Sequence, residues 1–153
     1  MLVKDIMVSP VISVSEDSTL VEVAKIMIKK RKGCIPVVND KSELVGIITE
    51  NEFTSHEQKF PFSRYYAPKL FGKWLTKENI EEMYADARTN YAKDVMNTKP
   101  VTAELDEPVF DLLNKMMDQS VDRVPVLNKQ RLVGIVTRHD LLKLIVDDIN
   151  TKD

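Results

Sequence analysis

The sequence predicts an α/β (α+β) protein built from two tandem β-α-β-β-α units, packed with pseudo-twofold symmetry through their small sheets. Three observations predict it. One stretch of the chain occurs twice, nearly in register. Each copy carries an amphipathic helical stripe followed by two short, almost wholly apolar runs rich in β-branched residues. A unit of roughly 50 residues is small for independent stability, so two such units gain by burying their apolar faces against each other.

Residues 4–53 overlay residues 93–141 with an offset that stays between 88 and 90. Lys4-Asp5-Ile6-Met7 meets Lys93-Asp94-Val95-Met96, Pro10-Val11 meets Pro100-Val101, and Asp17 meets Asp106. Further on, Pro36-Val37-Val38-Asn39 meets Pro125-Val126-Leu127-Asn128. The last match joins Leu44-Val45-Gly46-Ile47-Ile48-Thr49 to Leu132-Val133-Gly134-Ile135-Val136-Thr137. Only single-residue gaps are needed. A repeat of this kind dictates the architecture before any local reading.

The elements follow in order. A short extended segment opens each copy, Val11 to Val14 and Val101 to Ala103. An amphipathic helix comes next, with apolar positions Leu20, Val23, Ala24 and Met27 in the first copy. Val109, Leu112, Leu113 and Met116 repeat the i, i+3, i+4, i+7 stripe in the second. Thr19 with Glu22 forms a capping box, and Pro108 suits the first turn of the second helix. Two strands follow, Ile35–Val38 and Leu44–Ile48, then Val124–Leu127 and Leu132–Val136, each pair joined by a polar turn. Their apolar, β-branched composition suits strands buried on both faces. A further helix starts near Glu50 and near Arg138.

These readings divide the chain into a first unit at 1–54, an aromatic-rich insert with a helix at 55–91, and a second unit at 92–153. The insert holds eight of the ten aromatic residues: Phe60, Phe62, Tyr65, Tyr66, Phe71, Trp74, Tyr84 and Tyr91. Thr76 can cap a helix whose apolar positions are Ile80, Met83, Tyr84, Ala87 and Tyr91. A passive linker would be Gly/Ser-rich or charged. This surface must be buried against its own units, across a homodimer interface, or on a separate partner.

Composition excludes several function classes. The 153 residues are 43% apolar and 30% charged with a formal net charge of −2, so no basic footprint for nucleic acid is expected. No apolar run is long enough to span a bilayer and the N-terminus lacks a secretory pattern, so no membrane association and a cytoplasmic location are expected. Cys34 is the single cysteine, which excludes an internal disulfide and a cysteine-based metal cluster, and it reads as a buried, inert thiol. His56 and His139 are too few for a histidine-rich metal site; His56 reads as a surface or cap residue. Met27, Met116 and Met117 read as helix core. Nothing resembles a nucleophile elbow or a phosphate-cradling glycine loop, so no enzyme is expected.

The segment from Val124-Pro125-Val126 through Leu132-Val133-Gly134-Ile135-Val136-Thr137-Arg138-His139-Asp140 resembles the cystathionine-β-synthase (CBS) domain family. The Lys-Asp-Ile-Met and Lys-Asp-Val-Met openings are similar to that family's usual start. The resemblance covers the two repeats, about two thirds of the chain. It implies a standalone pair of CBS units, a Bateman-type module, which commonly dimerises and binds adenosine-containing ligands so as to regulate a partner protein. The implied effector is AMP, ADP, ATP or S-adenosylmethionine, with no cofactor required; whether Mg²⁺ accompanies a triphosphate is open.

By the same resemblance, Thr137 and Asp140 match positions that hold a ribose. An ionised carboxylate accepts two hydrogen bonds from a vicinal diol and a threonine hydroxyl adds a third contact. Arg138 and His139 begin a helix, whose free N–H groups favour anions. Arg123 matches a phosphate-contacting position, and Val101, Thr102 and Val124 match strand positions whose backbone meets the adenine edge. Thr-x-x-Asp is equally the pattern of a helix cap. The first copy offers a weaker site at Thr49 and Glu52. Glutamate is one methylene longer and Glu50-Asn51 replaces Arg138-His139, so this site is expected to be weak, empty or suited to a less charged adenosyl ligand. The competing function is a ligand-free dimerisation or scaffolding module.

Overall fold

A computed structural model describes residues 1–53, 69–70, 73–74 and 80–150. Helix α1 spans Val3–Ile6 and strand β1 Val14–Ser15; α2 runs Leu20–Lys30, β2 Cys34–Val38, β3 Leu44–Thr49 and α3 Glu50–Phe53. Two-residue strands β4 (Lys69–Leu70) and β5 (Lys73–Trp74) pair antiparallel, and α4 follows at Ile80–Thr89. The second repeat has α5 (Ala92–Val95), β6 (Ala103–Glu104), α6 (Val109–Asp118), β7 (Arg123–Asn128) and β8 (Arg131–Thr137). It closes with a 3₁₀ turn at Arg138–Leu142 that leads into α7 (Lys143–Asn150). Each repeat forms one three-stranded sheet, β1-β2-β3 and β6-β7-β8, as the doubled α+β pattern predicts. In the second, β6 runs parallel to β7 and β8 returns antiparallel, with Arg123 opposite Thr137 and Val124 opposite Val136.

The helical stripes face the cores as their period requires. Leu20, Val23 and Met27 are buried on α2, and Val109, Leu112 and Met116 on α6. Thr19 and Glu22 form the reciprocal capping box: the Thr19 N–H donates to Glu22 Oε2 at 2.8 Å and the Glu22 N–H to Thr19 Oγ1 at 3.3 Å. Arg31 ends α2 in the left-handed conformation, φ 51°. Cys34 is buried in β2 as expected. Other expectations shift. Pro108 is the N-cap of α6 rather than a first-turn residue. Met117 is 76% exposed, because it lies one position past the buried stripe that ends at Met116. Tyr91 is not part of the α4 stripe, since the helix stops at Thr89 and Tyr91 becomes the N-cap of α5. Thr76, His56 and the insert aromatics Phe60, Phe62, Tyr65, Tyr66 and Phe71 lie outside the described residues.

By contact the chain divides into two compact units that cut across the repeats. One joins Met1–Ser13 and Val38–Val45 to Lys99–Asp153; the other joins Val14–Val37 to Gly46–Thr98. The opening helix of each repeat therefore packs in the other repeat's unit. In the first unit Val3 and Ile6 are fully buried in one cluster with Ala103, Val109, Leu112, Met116, Val124, Val126 and Val136. Burying each such side chain contributes roughly 1.5–3 kcal/mol. The Val3 N–H donates to the Glu107 carbonyl, the Lys4 N–H to Leu105, and Val8 exchanges both bonds with Ile135. Lys4 Nζ meets Asp106 at 2.8 Å. The second unit repeats the arrangement: Ala92 is fully buried, its N–H donates to the Ser18 carbonyl, and Lys93 Nζ meets Asp17 at 2.8 Å.

The motif glycines make these approaches possible. A Cβ on Gly134 would lie 2.5 Å from Met7 Sδ and 3.1 Å from the Val8 carbonyl oxygen; on Gly46 it would lie 2.6 Å from Met96 Sδ and 2.9 Å from the Asn97 carbonyl oxygen. A thioether can swing aside, whereas both carbonyls are held in bridges, Asn97 with Ile47 and Val8 with Ile135, and the Asn97 oxygen is the closer of the two. Gly46→Ala should therefore destabilise the protein by about 1–3 kcal/mol in urea unfolding, and more than Gly134→Ala. Equal, negligible losses would show that neither close approach constrains the fold.

Candidate functional site

Strand β8 ends at Thr137 and the chain turns at once into the 3₁₀ segment that carries Asp140. Asp140 is 5% exposed and is the one buried charged residue among the described residues. Its Oδ2 accepts from both the backbone N–H and the hydroxyl of Thr137, each at 2.8 Å. The predicted cap is thus present, and it uses one carboxylate oxygen. Oδ1 faces Lys143 Nζ at 3.4 Å, and the same ammonium donates to the Ile6 carbonyl at 2.7 Å. Burial of the carboxyl works to raise its pKa; the two Thr137 bonds and Lys143 outweigh it and hold Asp140 below the usual 3.8.

The β7–β8 register sets Arg123 directly across from Thr137, so these two and Asp140 are brought together. Arg123 is half-buried, with Nη1 3.4 Å from Asp122 Oδ1. Val101 and Thr102 are half-buried just ahead of β6, and the Thr102 carbonyl accepts from Lys115 Nζ at 3.3 Å. Lys115 also pairs with Glu107 at 2.8 Å. Val124 is fully buried, so its side chain serves the core. Arg138 and His139 are exposed on the turn. One N–H group at the start of the turn is taken, since the Arg138 N–H donates to the Asp122 carbonyl, and the N–H of the Thr137 N-cap goes to Asp140.

The first repeat reproduces the cap with a longer residue. Glu52 Oε2 accepts from the Thr49 N–H and, at 2.6 Å, from its hydroxyl, so the extra methylene is absorbed by folding the carboxylate back onto Thr49. The Glu50 N–H donates to the Gly33 carbonyl, as Arg138 does to Asp122. Two surface depressions, of about 530 Å³ on α2 beside Arg31, Lys32 and Glu50 and about 200 Å³ between Pro10, Ser42 and Val133, include none of the second-repeat candidates. Among the described residues there is no cluster of three potential metal ligands and no helix long and apolar enough to cross a membrane.

Sequence reasoning missed Lys143. Its signal was the Asp-x-x-Lys spacing, which sets an acid and a base on one side of a helical turn. Because the folded Asp140 titrates below its unfolded value, its contribution to stability is complete above the unfolded pKa and is lost as pH falls through the folded one. The stability difference between wild type and Asp140→Asn should therefore narrow below about pH 4. A difference unchanged on acidification, followed by thermal unfolding, would show that the carboxylate is not held ionised.

The CBS domain family model matches residues 3–58 and 92–147, both repeats. The chain is 32% identical to the uncharacterized protein MJ1426 of Methanocaldococcus jannaschii, over 95% of this chain and 92% of that one. It is similar to the CBS domain of a CBS domain-containing membrane protein from Sphaerobacter thermophilus, at 34% identity and a TM-score of 0.73, covering 94% of this chain and 87% of the other. It is also similar to the CBS domain pair of protein MJ0100, solved with 5′-methylthioadenosine and S-adenosyl-L-methionine. There the identity is 29% and the TM-score 0.67, covering 97% and 98% of the two chains. With both copies matched and their two small sheets folded alike, the chain belongs to the CBS domain family as a tandem pair.

Proposed function

We propose that this CBS pair is a regulatory, non-enzymatic module that binds an adenosyl ligand and acts on a partner protein. In this reading the second repeat supplies the principal site. Asp140 accepts the ribose hydroxyls through Oδ1, the oxygen the Thr137 cap leaves over. Thr137 adds a contact, and Arg123, Arg138 and His139 provide positive charge for a phosphate. The backbone at Val101, Thr102 and Val124 meets the adenine edge. The observation that carries the reading is the buried, ionised Asp140 beside a β7–β8 register that sets Arg123 across from Thr137. The MJ0100 pair, bound to two adenosyl compounds, supports the ligand class. No metal is required by this chemistry. Self-association as a homodimer belongs to the same reading, and Phe110 and Met117, 70% and 76% exposed on α6, are apolar surface that a second copy would cover.

The first repeat is assigned a lesser role. Glu52 is turned onto Thr49, and Glu50 adds negative charge at the turn, so a phosphorylated nucleotide is disfavoured there. The second reading, a ligand-free scaffold, is favoured by one observation: both Thr-x-x-acid motifs are already satisfied as caps.

Calorimetry with AMP, ADP, ATP, S-adenosylmethionine and 5′-methylthioadenosine separates the two. At least one should bind saturably, with about one phosphorylated nucleotide per chain. Asp140→Ala should weaken binding ~30- to 1,000-fold, equivalent to about 2–4 kcal/mol for lost charge-assisted bonds. Asp140→Asn serves the same comparison where the alanine variant loses its cap and unfolds. Saturable binding by none of the five would leave the scaffold reading.

A further inference from the structure

We propose that Lys143 is a positioning residue that couples the occupant of Asp140 to helix α1, giving the ligand site a route into the fold. The proposal rests on the reading of Asp140 as the ribose carboxylate. Its geometry is one ammonium with two partners: the Ile6 carbonyl at 2.7 Å and Asp140 Oδ1 at 3.4 Å. An ammonium carries three N–H donors, so both are served at once. The shorter contact is a charge-assisted bond to the C-terminal end of α1, where a cation is also favoured by the helix dipole. The longer one is a looser ion pair on the single carboxylate oxygen outside the cap.

The peptide that Lys143 grips is the one that closes α1. The Ile6 carbonyl shares its peptide unit with the Met7 N–H, which donates to the Val3 carbonyl at 3.0 Å. Val3 and Ile6 lie in the core of this unit, Met7 packs over Gly134, and Val8 is bridged to Ile135 on β8, two residues before Thr137. Helix α1 is therefore fastened to the candidate site both along β8 and through Lys143. When a diol donates to Oδ1, the carboxylate charge is shared with two hydroxyls and the ammonium's hold concentrates on Ile6. The coupling belongs to one repeat alone. Asp140 corresponds to Glu52, and three residues on the counterpart of Lys143 is Ser55, which carries no charge.

Hydrogen exchange at the Met7 and Val8 amides tests this, with and without AMP, ADP, ATP, S-adenosylmethionine or 5′-methylthioadenosine, whichever saturates the wild type in calorimetry. Ligand should slow exchange there by roughly threefold or more in wild type and in Lys143→Arg. The response should be absent in Lys143→Met held at saturation. Should that variant not fold, Lys143→Gln, which keeps a donor for Ile6 but no charge for Asp140, carries the comparison and should also lose the response. A wild-type response in Met or Gln variants overturns the coupling while leaving the site standing. A wild type that binds none of the five overturns the site reading, and the coupling with it.

Discussion

The burial of Val3 and Ile6 in a core formed by residues 103–136 is the contact on which the rest of this chain depends. A sheet of two short strands and one of two residues, backed by α6 and by Leu141 and Leu144, leaves part of its apolar surface open; a four-residue helix from the start of the chain closes it. Residues 92–96 do the same for the other unit, with Ala92 buried and Met96 set over Gly46. A four-residue helix has no stability of its own, since nucleation outweighs so few backbone bonds. It exists because its apolar side chains and its N–H groups are taken up by the unit it packs into. The separation in sequence is the consequence: neither unit can complete its core until distant parts of the chain have met.

Much of this was legible in the residues, for stated reasons. A period of 3.6 over ten residues marks α2 and α6, and compact β-branched runs mark β2, β3, β7 and β8. Which core the opening helices join was not legible. The repeat makes Lys4 equivalent to Lys93 and Asp17 to Asp106, but that symmetry is equally satisfied if each lysine pairs within its own copy. The structure pairs Lys4 with Asp106 and Lys93 with Asp17. Local pattern carries no information about such a choice, because both arrangements bury the same residues. Met117 and Tyr91 were misread for simpler reasons: Met117 lies beside the stripe of α6, and Tyr91 keeps the period of α4 past the point at Thr89 where the helix ends.

The candidate site shows a similar division. Thr137 and Asp140 could be named from the motif, yet the sequence pattern is the same for a cap and for a ligand site. The geometry removes the need to choose. Oδ2 takes both Thr137 donors and Oδ1 does not, so capping uses one side of the carboxylate and holds the other in a fixed direction. A carboxylate oriented by its own helix entry pays no rotamer entropy on meeting a diol. In this respect the cap assists the ligand reading. What the motif could not disclose was that Arg138 contributes no free amide, since its N–H is bound to the Asp122 carbonyl.

The two repeats share a scaffold and differ in the residues that matter for a ligand. Glu52 and Asp140 make the same two bonds to their threonines, so each satisfies the helix entry equally. The repeats differ in the residues around these acids: Glu50 against Arg138, Asn51 against His139, Ser55 against Lys143. In the second repeat these positions carry Arg138, His139 and Lys143, close in sequence to Asp140, the one buried charged residue among the described residues. One of them serves the cap already: the Lys143 ammonium pairs with Oδ1 and helps hold Asp140 ionised. In the proposed adenosyl site the others would act on the ligand, the Arg138 guanidinium above all, whose charge offsets the repulsion between a phosphate and the carboxylate.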